Sequence, residues 1–239
     1  MVVLAELEIF CSRPHAPTRR VALGASDLPC EPAPGFGGVL LAGIVAEHVG
    51  AIDPDHLPDL ARLTRELEDG RRIPQPRLRH RLQVDTVGLN AVRHRLHGDG
   101  ERLWFDFDDS GAPEQQVLGA VYAAGQLEPG VRQAVMASLR RATRWAGPVG
   151  TDFITVVAGG SRGTSFDHMA LENPTAWALT VMGFGGEGTT TLTAPPPRDV
   201  VRRYRELLRE AHPDHGAADE GAAQRIADLA EARRILTGG

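Results

Sequence analysis

A chain of 239 residues with 42% hydrophobic and 24% charged residues has the composition of a globular protein, long enough for one large or two small domains. The formal net charge of -5 excludes an overall basic protein, so neither specific nucleic-acid binding nor attachment to an anionic membrane surface is expected. The start of the chain, residues 1–10, has two acidic residues and no basic ones, which predicts a strand rather than a signal peptide. The longest apolar run, residues 39–45, is too short for a membrane span, so we expect a soluble, cytoplasmic protein.

The two cysteines, Cys11 and Cys30, lack the C-x-x-C spacing of a metal knuckle or a redox site and are expected to stay reduced. Together with His15 they would offer three zinc ligands. No fourth ligand is evident, however, and the spacing differs from that of common zinc motifs. The sequence therefore implies no metal and no cofactor.

Periodic patterns over residues 1–165 predict an N-terminal α+β domain. Residues 2–10 are rich in Val, Leu and Ile and predict a half-buried strand, and residues 19–23 predict a short second strand. Residues 39–49 predict a buried helix. The glycine-rich entrance to this helix lacks the G-x-x-x-x-G-K-[ST] of a phosphate loop, which favours a packing role for the glycines. Residues 58–69 predict an amphipathic helix with leucines three and four positions apart.

The stretch at residues 71–81 is the most basic of the chain. Its guanidinium groups suit phosphate or an acidic partner surface, and the alternative is a solvated loop beside the acidic end of the preceding helix. No reading helix or stacking platform accompanies it, so specific nucleic-acid binding is not expected. The candidate anion or partner patch consists of Arg71, Arg72, Arg77, Arg79 and Arg81.

Alternation of apolar and polar residues dominates residues 82–108, with a Gly-Asp-Gly sequence at residues 98–100 where a hairpin turn is expected. This alternation predicts further strands of the sheet. We expect strands that begin near Val2, Val84 and Leu103 to share one sheet.

Prolines open two further predicted helices, over residues 113–126 and 129–145. Residues 151–158 predict one more strand or extended segment, followed by a glycine-rich stretch at residues 159–165. That stretch is similar to the turn of short-chain dehydrogenases, but too little chain follows for the βα units that a nucleotide fold needs. A boundary between two domains is expected within residues 159–174.

The C-terminal region contains two amphipathic helical patterns on either side of His212-Pro213-Asp214. Pro213 has no backbone N–H and disfavours helical geometry at His212, so the first helix is predicted to end near that residue. A helical hairpin is therefore expected. One face of its first arm carries Val200, Tyr204, Leu207, Leu208 and Ala211, and its second arm carries Ile226, Leu229, Ala232 and Leu236.

These residues resemble the J-domain, the module through which co-chaperones of the Hsp40 type engage Hsp70. The family pattern is an aliphatic residue, then Tyr-Arg, Leu and His-Pro-Asp, followed by an apolar helix that ends Ala-x-x-x-Leu. The J-domain-like module covers residues 174–239, and the family's preceding helix fits residues 176–184. The matching residues are Val200, Tyr204, Arg205, Leu207, His212, Pro213, Asp214, Ile226, Leu229, Ala232 and Leu236.

The chain also departs from the family pattern. Arg233 occupies a position that is usually aromatic, and Glu206, Glu210 and Ala211 replace residues that are commonly basic or apolar. The basic face of the module is therefore diluted. The connection between the first two helices is longer than usual.

The resemblance implies a specialised co-chaperone that stimulates the ATPase of an Hsp70-type chaperone, with His212, Pro213 and Asp214 as its coupling loop. The N-terminal domain would recruit an unidentified client or partner protein. The chain would regulate its partner's ATPase rather than catalyse a reaction itself. The basic face that binds the partner would consist of Arg202, Arg203, Arg205 and Arg209.

Two other classes of function stay open. A scaffold or protein-binding protein would retain a degenerate hairpin as a packing element, which Arg233 and the acidic positions of the first arm favour. An enzyme in the N-terminal domain would need a paired acid and base, or a nucleophile beside a histidine, and none is evident. The histidines at 80, 94 and 97 are interpreted as surface residues.

Overall fold

The computed structural model describes residues 2–13, 15–16, 19–99, 102–158, 174–184, 195–211 and 222–237. Within these ranges the chain forms five strands and eight α-helices, which confirms the α+β class. The glycine-rich stretch at 159–165 and nearly all of the segment predicted to hold the domain boundary lie outside them. Among the helices described, none combines the length and the apolar content needed to cross a bilayer.

The strands are β1 (Val2–Cys11), β2 (Arg19–Asp27), β3 (His80–Gln83), β4 (Asn90–Gly98) and β5 (Leu103–Asp106). The helices are α1 (Gly35–Val49), α2 (Leu57–Glu68), α3 (Pro113–Gly125), α4 (Pro129–Ala142), α5 (Thr151–Ala158), α6 (Pro174–Val181), α7 (Pro197–Ala211) and α8 (Ala222–Thr237). We refer to β1 through α5 as the N-terminal region and to α6, α7 and α8 as the C-terminal helices.

The five strands form one mixed sheet in the order β3-β2-β1-β4-β5, in which β2 and β3 run parallel and the other neighbours run antiparallel. Side chains of β1 alternate between its two faces, as expected for a strand. Leu7 and Ile9 are buried. On the opposite face Glu6 accepts a hydrogen bond from Arg95 Nε at 2.6 Å. The sheet therefore has one apolar face and one face of paired charges.

Helix α1 packs against the apolar face and is also in contact with α3, α4 and α5. It is apolar on nearly every side and almost wholly buried, as expected for a helix surrounded by protein. Glycines allow its close approach to neighbouring segments: a Cβ added to Gly43 would lie 2.4 Å from the Phe105 ring, and one on Gly37 would lie 2.7 Å from Cys30 Sγ. The glycines at the start of this helix thus have a packing role.

The prediction of a strand at residues 151–158 is wrong, because this segment forms helix α5. Its β-branched composition favours a strand when considered locally. The buried residues Phe153, Ile154 and Val157 instead follow helical spacing and pack into the core. Burial of this face overrides the local preference.

The prediction of a strand that begins near Val84 is also wrong. Strand β3 ends at Gln83, and the side chain of Val84 is 96% exposed. The alternating stretch is divided among three strands, of which β4 pairs with β1 along its whole length. Strands from Val2 and Leu103 do share one sheet, as predicted.

We expect Gly119→Ala to destabilise the fold. A Cβ at this position of α3 would lie 2.6 Å from Cγ2 of Ile9, a buried β-branched side chain on the central strand that has little freedom to move. Overpacking of this kind costs about 1 to 3 kcal/mol. Urea denaturation of both proteins would measure the change.

The matched control is Gly130→Ala in α4, where an added Cβ meets no atom within 4 Å in the described residues. Gly119→Ala combines the overpacking with a gain of about 0.5 to 1 kcal/mol in helix propensity, whereas Gly130→Ala, in the first turn of α4, meets no packing cost and should not destabilise the fold. Equal midpoints for the two variants would contradict the close contact between α3 and β1.

Candidate functional site

The C-terminal helices are held together through α8, which is in contact with both α6 and α7. The apolar positions predicted from the sequence are mostly buried there, while Tyr204, Leu208 and Ile226 are half-buried. Trp177 of α6 and Met182, which directly follows α6, are buried as well. The buried members of the predicted stripes are Val200, Leu207, Ala211, Leu229, Ala232 and Leu236.

The predicted coupling loop, His212-Pro213-Asp214, lies outside the described residues. Helix α7 is described as far as Ala211, the last described residue before the motif, so the helix end that the proline predicts stays a prediction. Helix α8 begins at Ala222. The two helices therefore flank the motif, and the hairpin that joins them stays a prediction.

Helix α6 ends in a defined turn at Gly183, which has a φ of +71°. The Phe184 N–H donates to Leu179 O at 2.8 Å, and the Gly183 N–H donates to Thr180 O at 3.0 Å. These are the two hydrogen bonds of a Schellman motif, in which the left-handed residue is usually glycine. The turn directs the carbonyl group of Met182 towards α7.

Arg203 of α7 uses this carbonyl. Its Nε donates to Met182 O at 3.2 Å, and its Nη1 donates to Glu206 Oε2 at 3.1 Å. Of the four arginines predicted to face a partner, Arg203 is thus partly occupied in joining α7 to the end of α6. This role was not evident from the sequence, since the two segments lie 21 positions apart.

The other three predicted residues, Arg202, Arg205 and Arg209, are exposed. Their spacing of three and four positions places them on one side of α7. Arg202 contacts Asp199 at 3.3 Å, and the Nε of Arg209 donates to the backbone of Arg205 at 3.2 Å. We call these three arginines the basic face of α7.

The arginine in the usually aromatic position also has a structural explanation. The guanidinium carbon of Arg233 lies 5.0 Å from the centroid of the Tyr204 ring. A cation above an aromatic face is attracted by the ring's quadrupole. Arg233 of α8 therefore contacts Tyr204 of α7 at the position where the J-domain pattern usually has an aromatic residue.

Arg234, which pairs with the buried Glu231 within α8, also joins this helix to the N-terminal region. Arg234 Nη2 donates to Leu4 O of β1 at 2.5 Å, and Arg234 Nη1 lies 3.5 Å from Asp27 Oδ2 of β2. The same guanidinium bonds both carboxylate oxygens of Glu231 at 3.0 Å. Glu231 is only 5% exposed. Burial raises the pKa of Glu231, while Arg234 acts to lower it.

The basic stretch at residues 71–81 is divided by the fold. Arg77 is buried and its Nη2 donates to Glu66 Oε2 at 2.6 Å, so it does not belong to an accessible patch. Arg71, Arg72, Arg79 and Arg81 are exposed. The predicted set therefore contains four accessible arginines and one that anchors the loop to α2.

The interpretation of three histidines as surface residues is wrong, because His80, His94 and His97 are at most 8% exposed. His94 Nε2 is 2.8 Å from Gln116 Oε1, which fixes its ring against α3. Burial lowers the pKa of His94 and of the neighbouring His48. Such neutral rings behave as core residues. The alternation of buried and exposed side chains along β4 places His94 on the apolar face of the sheet, and the sequence pattern of this strand could have predicted it.

Both cysteines are free and buried, and burial raises the pKa of Cys11 and of Cys30 to about 12. Thiols with so high a pKa carry almost no thiolate at neutral pH and are poor nucleophiles. Among the described residues, no group of three or more His, Cys, Asp or Glu side chains is arranged to hold a metal ion.

Comparison of the chain with protein-family models, with curated proteins and with solved structures finds no match. The functional interpretation therefore rests on the residues of this chain.

We expect Arg234→Met to cost about 3 kcal/mol of unfolding free energy at neutral pH, because it leaves the Glu231 carboxylate buried without its partner. A carboxyl whose pKa is raised by folding weakens the fold when it is ionised. The loss should therefore shrink as the pH falls from the raised value towards that of an ordinary glutamate. Urea unfolding at neutral pH and at about pH 5 measures both effects.

The control is Arg225→Met, which removes an exposed arginine from the same helix and should have little effect. The double variant Glu231→Gln, Arg234→Met should recover most of the stability. A pH-independent loss in Arg234→Met would show that the charge of Glu231 is not its cause.

Proposed function

We propose that this chain is a specialised J-domain co-chaperone that binds an Hsp70-type chaperone through its C-terminal helices. His212, Pro213 and Asp214 form its coupling loop and stimulate ATP hydrolysis by the partner. The observation that carries the proposal is the His-Pro-Asp sequence between two helices whose apolar stripes are in register with the J-domain pattern. The tripeptide alone is frequent, whereas the tripeptide with both stripes is a specific combination.

Burial within the C-terminal helices supports this proposal. The pattern requires a structural role for its apolar positions, and Val200, Leu207, Leu229 and Ala232 are all buried. The charged positions between them on α7 are turned outwards. A partner that approaches α7 therefore meets the basic face and not the apolar stripe.

The charge of that face suits an acidic groove on the partner. Exposed arginines attract an acidic surface over about a Debye length and increase the rate of association more than the final affinity. Arg202, Arg205 and Arg209 provide this charge. Asp199 offsets the charge of Arg202 in part, and the carboxylate of Glu206 is bonded to Arg203.

The N-terminal region would deliver the client or partner protein. Arg234 attaches α8 to β1 and β2, on elements other than α7. The basic face is therefore free to bind Hsp70 while the N-terminal region binds something else. A rigid attachment of this kind would hold a client at a defined place relative to the chaperone.

A second candidate function is that of a scaffold or protein-binding protein with a degenerate hairpin. The contact of Arg233 with Tyr204 favours it, because a family aromatic has been replaced by a charged residue that still serves packing. The two candidates differ in one property. Only the co-chaperone stimulates an ATPase.

We expect Asp214→Asn to abolish stimulation of the cognate Hsp70 ATPase without affecting the fold. Removal of one charged contact in a partly desolvated interface costs about 2 to 5 kcal/mol, enough to remove a transient encounter. Single-turnover ATPase assays with the Hsp70 of the same cell, over a range of co-chaperone concentrations, measure this.

Two variants serve as controls in this assay. Glu210→Gln makes the same change of carboxylate to amide at an exposed position of α7 and should stimulate normally. Leu207→Ala removes a buried side chain and should lose about 2 to 5 kcal/mol of folding stability, which separates loss of fold from loss of coupling. If wild type gives no stimulation, or Asp214→Asn stimulates equally well, the scaffold function replaces our proposal.

The basic face should act on affinity and not on coupling. We expect Arg205→Gln with Arg209→Gln to require a several-fold higher concentration for half-maximal stimulation, with the same maximum, and the difference should shrink at high salt. The control, Arg65→Gln with Arg144→Gln, removes the same charge from two exposed positions of the N-terminal region. An unchanged concentration dependence for the α7 variant would exclude the basic face from the interface.

A further inference from the structure

A cleft of about 540 Å³ lies in the N-terminal region, separate from the C-terminal helices. Its walls are the segment that follows α2, the last turn of α3, and the adjoining parts of β2 and β3. Binding sites for small organic molecules typically have volumes of about 300 to 1,000 Å³. The cleft is therefore large enough for such a ligand.

Three arginines line this cleft: Arg71 and Arg72 on one wall and Arg81 on another. No carboxylate is among the described residues that line it. Among the residues that the structure describes, Arg72 and Arg81 have no ion-pair partner. Nη2 of Arg71 lies 3.7 Å from Oδ2 of Asp69, and both of these side chains are exposed. Exposed pairs of this kind contribute little. The positive charge of the cleft is thus largely uncompensated.

The backbone between these arginines is held in a fixed geometry. Residues 77–80 form a tight turn in which Arg77 and His80 exchange backbone hydrogen bonds of 2.9 and 2.7 Å. Its central residues, Leu78 and Arg79, have φ of 47° and 61°, as in a type I′ turn, although neither is a glycine. Non-glycine residues stay in this conformation only where the surroundings enforce it.

Contacts with α2 enforce this turn. Arg77 donates to Glu66 at 2.6 Å, and the Leu78 N–H donates to Asp59 Oδ2 at 3.1 Å. The side chain of Leu78 is buried beneath the turn. The turn leads directly into β3, so the contacts with α2 also fix the backbone position of Arg81 in the lining of the cleft.

The rest of the lining is largely apolar. Leu67, Leu82 and Tyr122 also line the cleft. A ligand that fills the cleft must therefore combine an anionic group with an apolar body. Guanidinium groups carry several N–H donors each and match the oxygens of a phosphate better than a single ammonium group does.

We propose that this cleft binds a small organic phosphate, with the phosphate between Arg71, Arg72 and Arg81 and the apolar body against Leu82 and Tyr122. This site is independent of the proposed co-chaperone activity. It gives the N-terminal region a small-molecule ligand as well as any protein partner. The volume of the cleft, its arginines and its apolar side chains together indicate this class of ligand.

Isothermal titration with 1-naphthyl phosphate tests the site, since this probe combines a phosphate with an aromatic body. We expect saturable binding with one molecule per chain. Arg72→Gln with Arg81→Gln should weaken this binding at least about tenfold, because charge-assisted hydrogen bonds are lost. Both arginines are exposed, so the variant should keep its thermal unfolding midpoint.

The matched control is Arg65→Gln with Arg144→Gln, which removes two arginines from a different cleft between α2 and α4 and should leave binding within about twofold. 1-Naphthol, without the anion, should bind at least about tenfold more weakly. Equal weakening by both double variants, or tight binding of 1-naphthol, would overturn the proposal. So would 1-naphthoate binding as tightly as the phosphate, or a short single-stranded oligonucleotide displacing the probe at physiological salt.

Discussion

Burial of helix α1 is the constraint on which the N-terminal region depends. Its side chains are apolar on nearly every side, and each fully buried Val, Leu, Ile or Phe stabilises the fold by about 1.5 to 3 kcal/mol relative to exposure. The sheet covers one side of the helix and α3, α4 and α5 cover others. Glycines such as Gly43 allow these neighbours to approach closely.

Arginine side chains have two distinct roles in this protein. Arg77, Arg203 and Arg234 each join segments that are distant along the chain, through hydrogen bonds to carboxylates or backbone carbonyls. Other arginines, such as Arg81 and Arg205, are exposed, and among the residues that the structure describes no ion pair offsets their charge. The planar guanidinium suits both roles because it forms several directed hydrogen bonds and stays charged when partly buried.

Helix α8 connects the two parts of the chain because different sides of it meet different neighbours. Leu229, Ala232 and Leu236 are buried together with residues of α6 and α7, whereas Arg234 reaches the sheet. This arrangement occupies α8 and leaves the outer side of α7 exposed. Under the proposed function, α7 binds the chaperone, and α8 holds α7 in a fixed position relative to the N-terminal region.

The sequence alone determined the elements whose signals are local. Strand β1 and helices α1 to α4 follow from hydrophobic periodicity and from prolines, and the His-Pro-Asp motif with its flanking stripes needs no structure to be seen. Tertiary contacts decided the rest. Residues 151–158 became a helix because Phe153 and Val157 reach the core on one helical face. Nothing local distinguishes Arg77 from Arg81: their environments differ because the turn brings Arg77 against Glu66 of α2, and such contacts depend on three-dimensional packing.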